Sequence, residues 1–489
     1  MDIEYNINFI FNDYKETLKI VNEEKSLIKA LGLPKHSCEL IGSQIILQNE
    51  IGKGVFGTVF AITFPHADVG TRNFVVKRLN VQLEYTSLKT KQQILNYLEK
   101  YQLTWEDIKP LQPRQSVIDT FDNSPLDRKV VVVLPSLPCI LDEAKEFKKF
   151  PSDDYRNPDK IIVPKGSYIC SENAYSEYVI GAYLSNLYDS RQCINFFKMF
   201  SMFTCKNNDE PGLNLKYYQY IFMDRIDGTA LNIFGKKNQN GTLQRYNNVC
   251  ERLSNYFARG RVCDQLNIIN GVYIQTIFAI IAYQEKYKVS HNDLHTENVF
   301  VEYINDNTRF KGNYLKNADW FSYGIRGRKV YFPAIPVIVK IGDFGLSVKY
   351  SKPIVGDEYV FKTGYWQTDP NTGTWDQNGP WIPDTFTPSY DGLYFSSALA
   401  QLISAEFSRG ALGNLLSRCL YFMCPEMDPQ NPIKYQLHDG YINPANGRPV
   451  LQNLPAVKTP LEVFLGPILE MYGQRPLVGT TVYSLGDLL

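Results

Sequence analysis

His291-Asn292-Asp293-Leu294-His295-Thr296-Glu297-Asn298 reads as H-x-D-L-x-x-x-N. About 45 residues later, Lys340-Ile341-Gly342-Asp343-Phe344-Gly345 reads as a strand running into D-F-G. The two stretches supply three oxygen-bearing side chains. One carboxylate, Asp293, can orient a hydroxyl and take its proton late in a transfer. An amide five residues on, Asn298, and a second carboxylate, Asp343, can hold magnesium, which prefers oxygen ligands. That set is what phosphoryl transfer requires. A lone His-x-Asp carries little, since a core histidine beside a surface aspartate is the commoner origin. The reading therefore depends on what stands upstream.

From Ser43 the pattern turns to strand. Ile45-Ile46-Leu47 leads to Ile51-Gly52-Lys53-Gly54-Val55-Phe56-Gly57 and then Thr58-Val59-Phe60-Ala61-Ile62. Phe74-Val75-Val76-Lys77 follows a polar loop. A G-x-G-x-x-G joining two strands differs from the dinucleotide motif, whose glycines open a helix. Glycine lets backbone N–H groups come close to phosphate oxygens, and Phe56 at the tip would cap the phosphates against water. Taken alone, this is equally an ordinary glycine-rich hairpin, and Lys77 equally a surface lysine at a strand end. An inward-pointing ammonium there needs an anion, because burying it unpaired is costly. Phosphates and a helix carboxylate would serve. The helix expected at about 173–188 offers Glu177, mid-helix near Val179, Ile180 and Leu184, with Glu172 as the alternative. What decides is order: Gly54, Lys77, Asp293, Asn298 and Asp343 follow one another as a nucleotide site needs them.

Composition sets the frame. The chain has 489 residues, 44% hydrophobic and 21% charged, which fits a globular protein with a sizeable core. The 51 basic and 51 acidic side chains cancel, so net charge singles out neither nucleic acid nor membrane as partner. The nine cysteines are scattered, and only Cys419 and Cys424 lie close together; all read as reduced thiols. The N-terminus lacks a basic region followed by an apolar core, so no signal peptide is expected. The apolar runs at Val130–Pro135 and Ile277–Tyr283 fall far short of the roughly 20 residues a bilayer span needs. These features point to a cytoplasmic address with no transmembrane segment.

Residues 13–31, with Leu18, Val21 and Leu27 at helical spacing, read as a helix ended by Gly32 and Pro34. Residues 80–170 mix a charged helical segment, Lys89–Lys100, with a buried strand, Val130–Leu134, and read as an insertion. Strand-like runs at 194–204 and 216–223 precede the clearest helix, 264–288, whose apolar side carries Ile269, Val272, Ile277, Ile280 and Ile281. A loop-rich stretch with Trp366, Trp375 and Trp381 follows Asp343, and the remainder reads as helices.

The whole arrangement resembles the protein kinase superfamily over about residues 44–425. The resemblance implies an α+β, two-lobed fold: an antiparallel N-lobe sheet with its helix (44–223, insertion at about 80–170) and a mainly helical C-lobe (224–489, insertion at about 304–333), after an N-terminal extension (1–43). ATP would lie against Ile51, Gly52, Lys53, Gly54, Val55, Phe56, Gly57 and Val59. Lys77 would orient its phosphates and Glu177 would hold Lys77. Met223 would be the gatekeeper, and Asp224-Arg225-Ile226 the hinge whose backbone binds adenine. Asp293 would position the nucleophile, and Asn298 and Asp343 would bind Mg2+, with Mn2+ as a substitute. Asp391, in Pro388-Ser389-Tyr390-Asp391, would hydrogen-bond the catalytic-loop backbone, or else be a helix N-terminal acid with no such role. The activity implied is transfer of the γ-phosphate to serine or threonine hydroxyls of protein substrates.

The departures narrow the resemblance. The usual arginine before Asp293 is Asn292, which implies activity without phosphorylation of the activation segment. The usual lysine two residues after it is His295, and the apolar residue usual four positions after the helix glutamate is Gly181. No A-P-E closes the activation segment. An aromatic tract, Trp320–Ile325 and Val330–Pro333, precedes the D-F-G strand. With the H-N-D-L-H loop, this is similar to the divergent serine/threonine kinases of large cytoplasmic DNA viruses, iridovirus and poxvirus relatives. That implies the host cytoplasm and allows packaging in the virion. D-L-H and the missing A-P-E also suit a small-molecule or lipid kinase, and the insertions suit a pseudokinase scaffold. A strand-like Glu358–Lys362 favours a protein acceptor.

Overall fold

The computed structural model describes residues 46–53, 57–63, 74–81, 83–100, 104–109, 114–135, 172–206, 217–238, 243–246, 248–257, 262–304, 317–349, 386–403, 415–424 and 448–488, with short pieces at 4–5, 112, 315, 383 and 441–442. Outside them lie the expected 13–31 helix, the Gly54–Phe56 tip, Trp366, Trp375, Trp381 and Glu358–Lys362. The chain forms a mixed α/β structure with several antiparallel sheets.

The strand patterns before Lys77 build a five-stranded sheet. Its order is Ile46–Lys53, Gly57–Thr63, Phe74–Val81, Tyr217–Asp224, Met199–Lys206, and every neighbouring pair is antiparallel. The helix Glu172–Asp189 packs beside the Met199–Lys206 strand and buries Ile180, Leu184 and Leu187. Each such fully buried side chain stabilises by roughly 1.5–3 kcal/mol.

Residues 83–135 form a unit with its own core. Leu83–Thr90 pairs antiparallel with Lys129–Pro135, and the helices Lys91–Lys100 and Gln115–Asn123 lie between them in sequence. Ile94, Leu98, Ile108, Phe121, Val130, Val132 and Leu134 cluster apart from the main core. Trp105 stacks on Phe121 at 3.8 Å.

The helix Gln265–Tyr287 runs through the main core. Asp264 caps its start by accepting from Leu266 N at 2.8 Å, and it ends where Lys288 takes a left-handed conformation (φ 54°). It is buried nearly all round, so its apolar stretch extends well beyond the expected Ile277–Tyr283. By length and composition it could cross a membrane, but its apolar window is 89% buried inside the protein. The short strand Val289–Ser290 follows and delivers the chain into the loop at His291.

Two expectations need correction. The C-terminal segment is not all helical: Val482–Leu488 is a strand lying parallel to Trp320–Ile325 on one side and to Glu4–Tyr5 on the other. Trp320–Ile325 and Arg328–Pro333 form an antiparallel hairpin whose Phe321, Tyr323 and Phe332 enter the core. Tyr323 stacks on Phe278 of the long helix at 3.9 Å and donates to Asn195 Oδ1 at 2.7 Å. The thiols are also not all reduced. Cys250 and Cys263 are joined in a disulfide, brought within 5.6 Å (Cα to Cα) as the chain turns back into the long helix. Cys193, Cys419 and Cys424 are free and buried.

Candidate functional site

Lys77 lies mid-strand between buried Val75 and Leu79, which share its face by the two-residue period. Its ammonium therefore points inward, and two carboxylates meet it. Both Glu177 oxygens lie at 2.8 Å and Asp343 Oδ1 at 2.7 Å. Glu177, not Glu172, is thus the helix partner. One cation serves two anions of unequal exposure: the Glu177 side chain is 2% exposed and that of Asp343 38%. Burial pushes Glu177 up to about 7 despite Lys77. For Asp343 burial is outweighed by Lys77, and its pKa falls below the usual carboxylate value. Lys77 is held charged, its own burial outweighed by Asp343 and Glu177. One turn after Glu177, Gly181 leaves a space that Met199 fills, since a Cβ there would lie 2.5 Å from Met199 Cε.

The strand Val337–Ile341 carries the chain to Asp343, whose φ of 60° turns it sharply. A non-glycine residue in that region is strained and needs support from its surroundings. Phe344 is buried, with its ring 5.3 Å from that of His291. Gly342 admits the Phe197 ring, which would sit 2.1 Å from any Cβ there. His291 Nδ1 accepts from Asp293 N at 3.3 Å, so the proton sits on Nε2, which donates to Gly342 O at 2.8 Å. His291 thereby ties the two stretches together and is not free to shuttle protons.

The 291–298 loop is clamped from below by the helix Ser389–Leu402. Asp391 accepts from His291 N and Asn292 N, both at 2.8 Å, and from Tyr283 Oη at 2.8 Å. Asn292 has φ 63°, a second left-handed residue at the site, and its Nδ2 donates to Leu346 O at 3.0 Å. Asn298 Nδ2 donates to Asp293 O at 2.8 Å and lies 3.3 Å from Asp293 Oδ2. His295 Nε2 stands 3.7 Å from the same oxygen. Arg448 bonds Asp293 Oδ1 through Nη2. Although burial pushes the Asp293 pKa up, His295, Arg448 and His291 together bring it below the ordinary value.

An open cleft of about 420 Å3 lies between the five-stranded sheet and the loop. Of the residues expected to bind nucleotide, Ile51, Gly52, Lys53, Gly57, Val59, Lys77, Met223, Asp224 and Ile226 line it; Gly54, Val55 and Phe56 lie outside the described residues. Asn298, Asp343 and Glu177 line it as well. Met223 is buried at the end of its strand, and the Asp224 carboxylate turns back to accept from Lys198 N at 2.8 Å. A Cβ on Gly52 would meet only Val59 Cβ, at 3.9 Å, so no described protein atom demands glycine there. Sequence reasoning missed Phe197, Asp227, Thr229, Asn232 and Phe300 in the lining. None carries a recognisable local pattern.

The donors suit a hard divalent cation. With its amide nitrogen engaged by Asp293, Asn298 keeps its side-chain oxygen for a metal, and Asp343 adds a carboxylate. Among the described residues no three His, Cys, Asp or Glu side chains gather to hold a metal unaided. Magnesium would therefore complete its shell from phosphates and water. No protein-family model matches the chain, and no curated protein is significantly similar to it.

Proposed function

We propose that this protein is a kinase of the two-lobed protein kinase type, transferring the γ-phosphate of ATP to serine or threonine hydroxyls of protein substrates. The observation that carries the reading is the Lys77–Glu177–Asp343 cluster opening onto a cleft shared with Asn298 and adjoining Asp293. A buried ammonium between two carboxylates is costly to assemble and gains its use when phosphates enter beside it. Gly52 adds support, as a glycine whose freedom from Cβ serves close approach of a ligand and not packing.

In this reading the sheet face takes adenine near Met223 and Ile226, and Lys77 orients the phosphates while Glu177 holds it. Asp293 accepts the hydroxyl proton as the oxygen bonds the γ-phosphorus and the bridging P–O bond breaks, releasing ADP. Asn298 and Asp343 would hold magnesium, which neutralises phosphate charge when bound. Most of the acceleration comes from positioning and charge stabilisation. The similarity to kinases of large cytoplasmic DNA viruses belongs to the same proposal.

The test is transfer of labelled γ-phosphate from ATP with magnesium to mixed proteins, for the natural chain beside Asp293→Asn and Asp343→Ala. Label on serine or threonine that falls by about 1000-fold or more in both variants, with folding intact, is expected. Full activity in either variant removes the mechanism. Label on small alcohols alone would make it a small-molecule kinase, and nucleotide binding without turnover a scaffold.

A further inference from the structure

Arg448 stands 155 residues from Asp293 in sequence and in contact with it in space. Its Nη1 donates to Asn292 O at 2.7 Å and its Nη2 to Asp293 Oδ1. The guanidinium lies 5.4 Å from the centre of the Tyr394 ring and bonds Tyr390, and the side chain is only 13% exposed. The chain immediately after it is tied down: Val450 N donates to Tyr441 O at 2.8 Å, and Pro449 bridges to Ile442.

The peptide units flanking Asn292 are thus gripped from two directions. Asp391 takes the N–H of residue 292 and Arg448 takes its carbonyl, on a residue held at φ 63°. A left-handed asparagine persists only where its surroundings over-determine it. The same guanidinium continues onto the carboxylate one residue further. A fork with two parallel donors fixes direction as well as charge, which a lysine cannot do.

Resting on the kinase reading, we propose that Arg448 is a positioning residue for the transfer step: it fixes the Asn292 carbonyl and aims the Asp293 carboxylate at the acceptor hydroxyl. Oδ1 is given to the guanidinium. Oδ2, which among the described residues meets Asn298 at 3.3 Å and His295 at 3.7 Å, is the oxygen presented to substrate. A removable latch would grip the carboxylate from an exposed segment. Arg448 instead grips backbone and carboxylate together from a mostly buried position. The charged and titratable groups facing Asp293 are His291 and His295 from its own loop, Asp343 from the D-F-G turn, Tyr394 from the helix, and Arg448.

The test compares the natural chain with Arg448→Met and Arg448→Lys, measuring kcat, KM for ATP and the pH profile, with ATP binding as the measure of folding. Arg448→Met is expected to lower kcat by about 10- to 100-fold, the effect of misplacing a reacting group, with KM for ATP changed less than about twofold. Arg448→Lys should recover kcat in part, because an ammonium reaches the carboxylate or the carbonyl but does not fork to both. Should Arg448→Met lose ATP binding through misfolding, the lysine variant carries the test alone: reduced kcat at unchanged KM for ATP supports positioning. A kcat within about twofold of the natural chain in whichever variant folds, or a kcat that rises, overturns the proposal while leaving the kinase reading in place. A natural chain showing no Asp293-dependent transfer would overturn the reading itself, and this proposal with it.

Discussion

Lys77 and Asp293 are held in opposite ways. Lys77 is one cation between two carboxylates, Glu177 and Asp343. Asp293 is one carboxylate among nitrogen groups: Arg448, His295 and Asn298. The difference lies in what each surplus implies. Around Lys77 burial, with a smaller push from the second carboxylate, raises the pKa of Glu177. Around Asp293 the donors are in excess, so the carboxylate stays ionised despite burial. The first cluster is poised to change its charge near neutral pH, and the second is not.

Lys77→Met breaks the comparison at its strongest point. It leaves two carboxylates facing each other with no cation between them, and removes the group proposed to orient phosphates. Transfer should fall by about 100-fold or more in kcat/KM, and stability by up to about 3 kcal/mol, as when a buried ion pair loses one partner. Denaturant unfolding beside steady-state kinetics reads both. A stability loss near zero would mean that Glu177 simply takes up a proton, which its raised pKa makes easy.

The pH profile sharpens the same contrast. Glu177 titrates near 7 in the folded chain against an ordinary 4.5. Between these values the folded state binds more protons than the unfolded state, so this group's contribution to stability falls as pH rises from about 4.5 to 7. Function moves the other way: the carboxylate that grips Lys77 is populated above 7. We expect kcat/KM to drop on the acid side with a limb near 7, and Glu177→Gln to lose that limb while lying about tenfold lower at alkaline pH. A limb unchanged in the glutamine variant would assign it to another group.

The two clusters also differed in how far the sequence exposed them. Lys77, Glu177 and Asp343 each sit in a short patterned segment, an apolar strand, a helix and a D-F-G turn, so local pattern reached all three, with Glu172 the one alternative that the structure removes. Arg448 sits in Asn446-Gly447-Arg448-Pro449, a turn sequence with nothing to mark it, and its contact spans 155 residues. The strand Val482–Leu488 escaped for a related reason. Its parallel partner, Trp320–Ile325, lies far upstream, and neither segment predicts the other. The Cys250–Cys263 pair escaped because the two cysteines are 13 residues apart with no local spacing to mark them as partners. The long helix is legible as a helix but not as one buried on nearly every face, because its other faces carry polar residues such as Gln275 and Thr276 that find hydrogen-bond partners inside the core.

The smallest expected effect concerns Gly181, where the sequence pattern looked defective. Its missing side chain is supplied in space by Met199, which is buried on the neighbouring strand and whose Cε and Cγ would lie 2.5 and 2.8 Å from a Cβ at 181. Gly181→Leu gains helix propensity worth about 1 kcal/mol but must displace a packed methionine, an overpacking cost of about 1–3 kcal/mol. A net loss of about 1 kcal/mol, read by unfolding, is the expected balance. Met199→Ala alone opens a cavity and should cost about 2–5 kcal/mol. The double variant, with leucine entering the space methionine left, should be more stable than Met199→Ala by at least about 1 kcal/mol, a coupling that contact between the two sites requires. Because this helix carries Glu177, the double variant should also restore any transfer lost in Gly181→Leu. Strict additivity would mean that Met199 does not fill the space at Gly181, and that the register of Glu177 against Lys77 is set elsewhere.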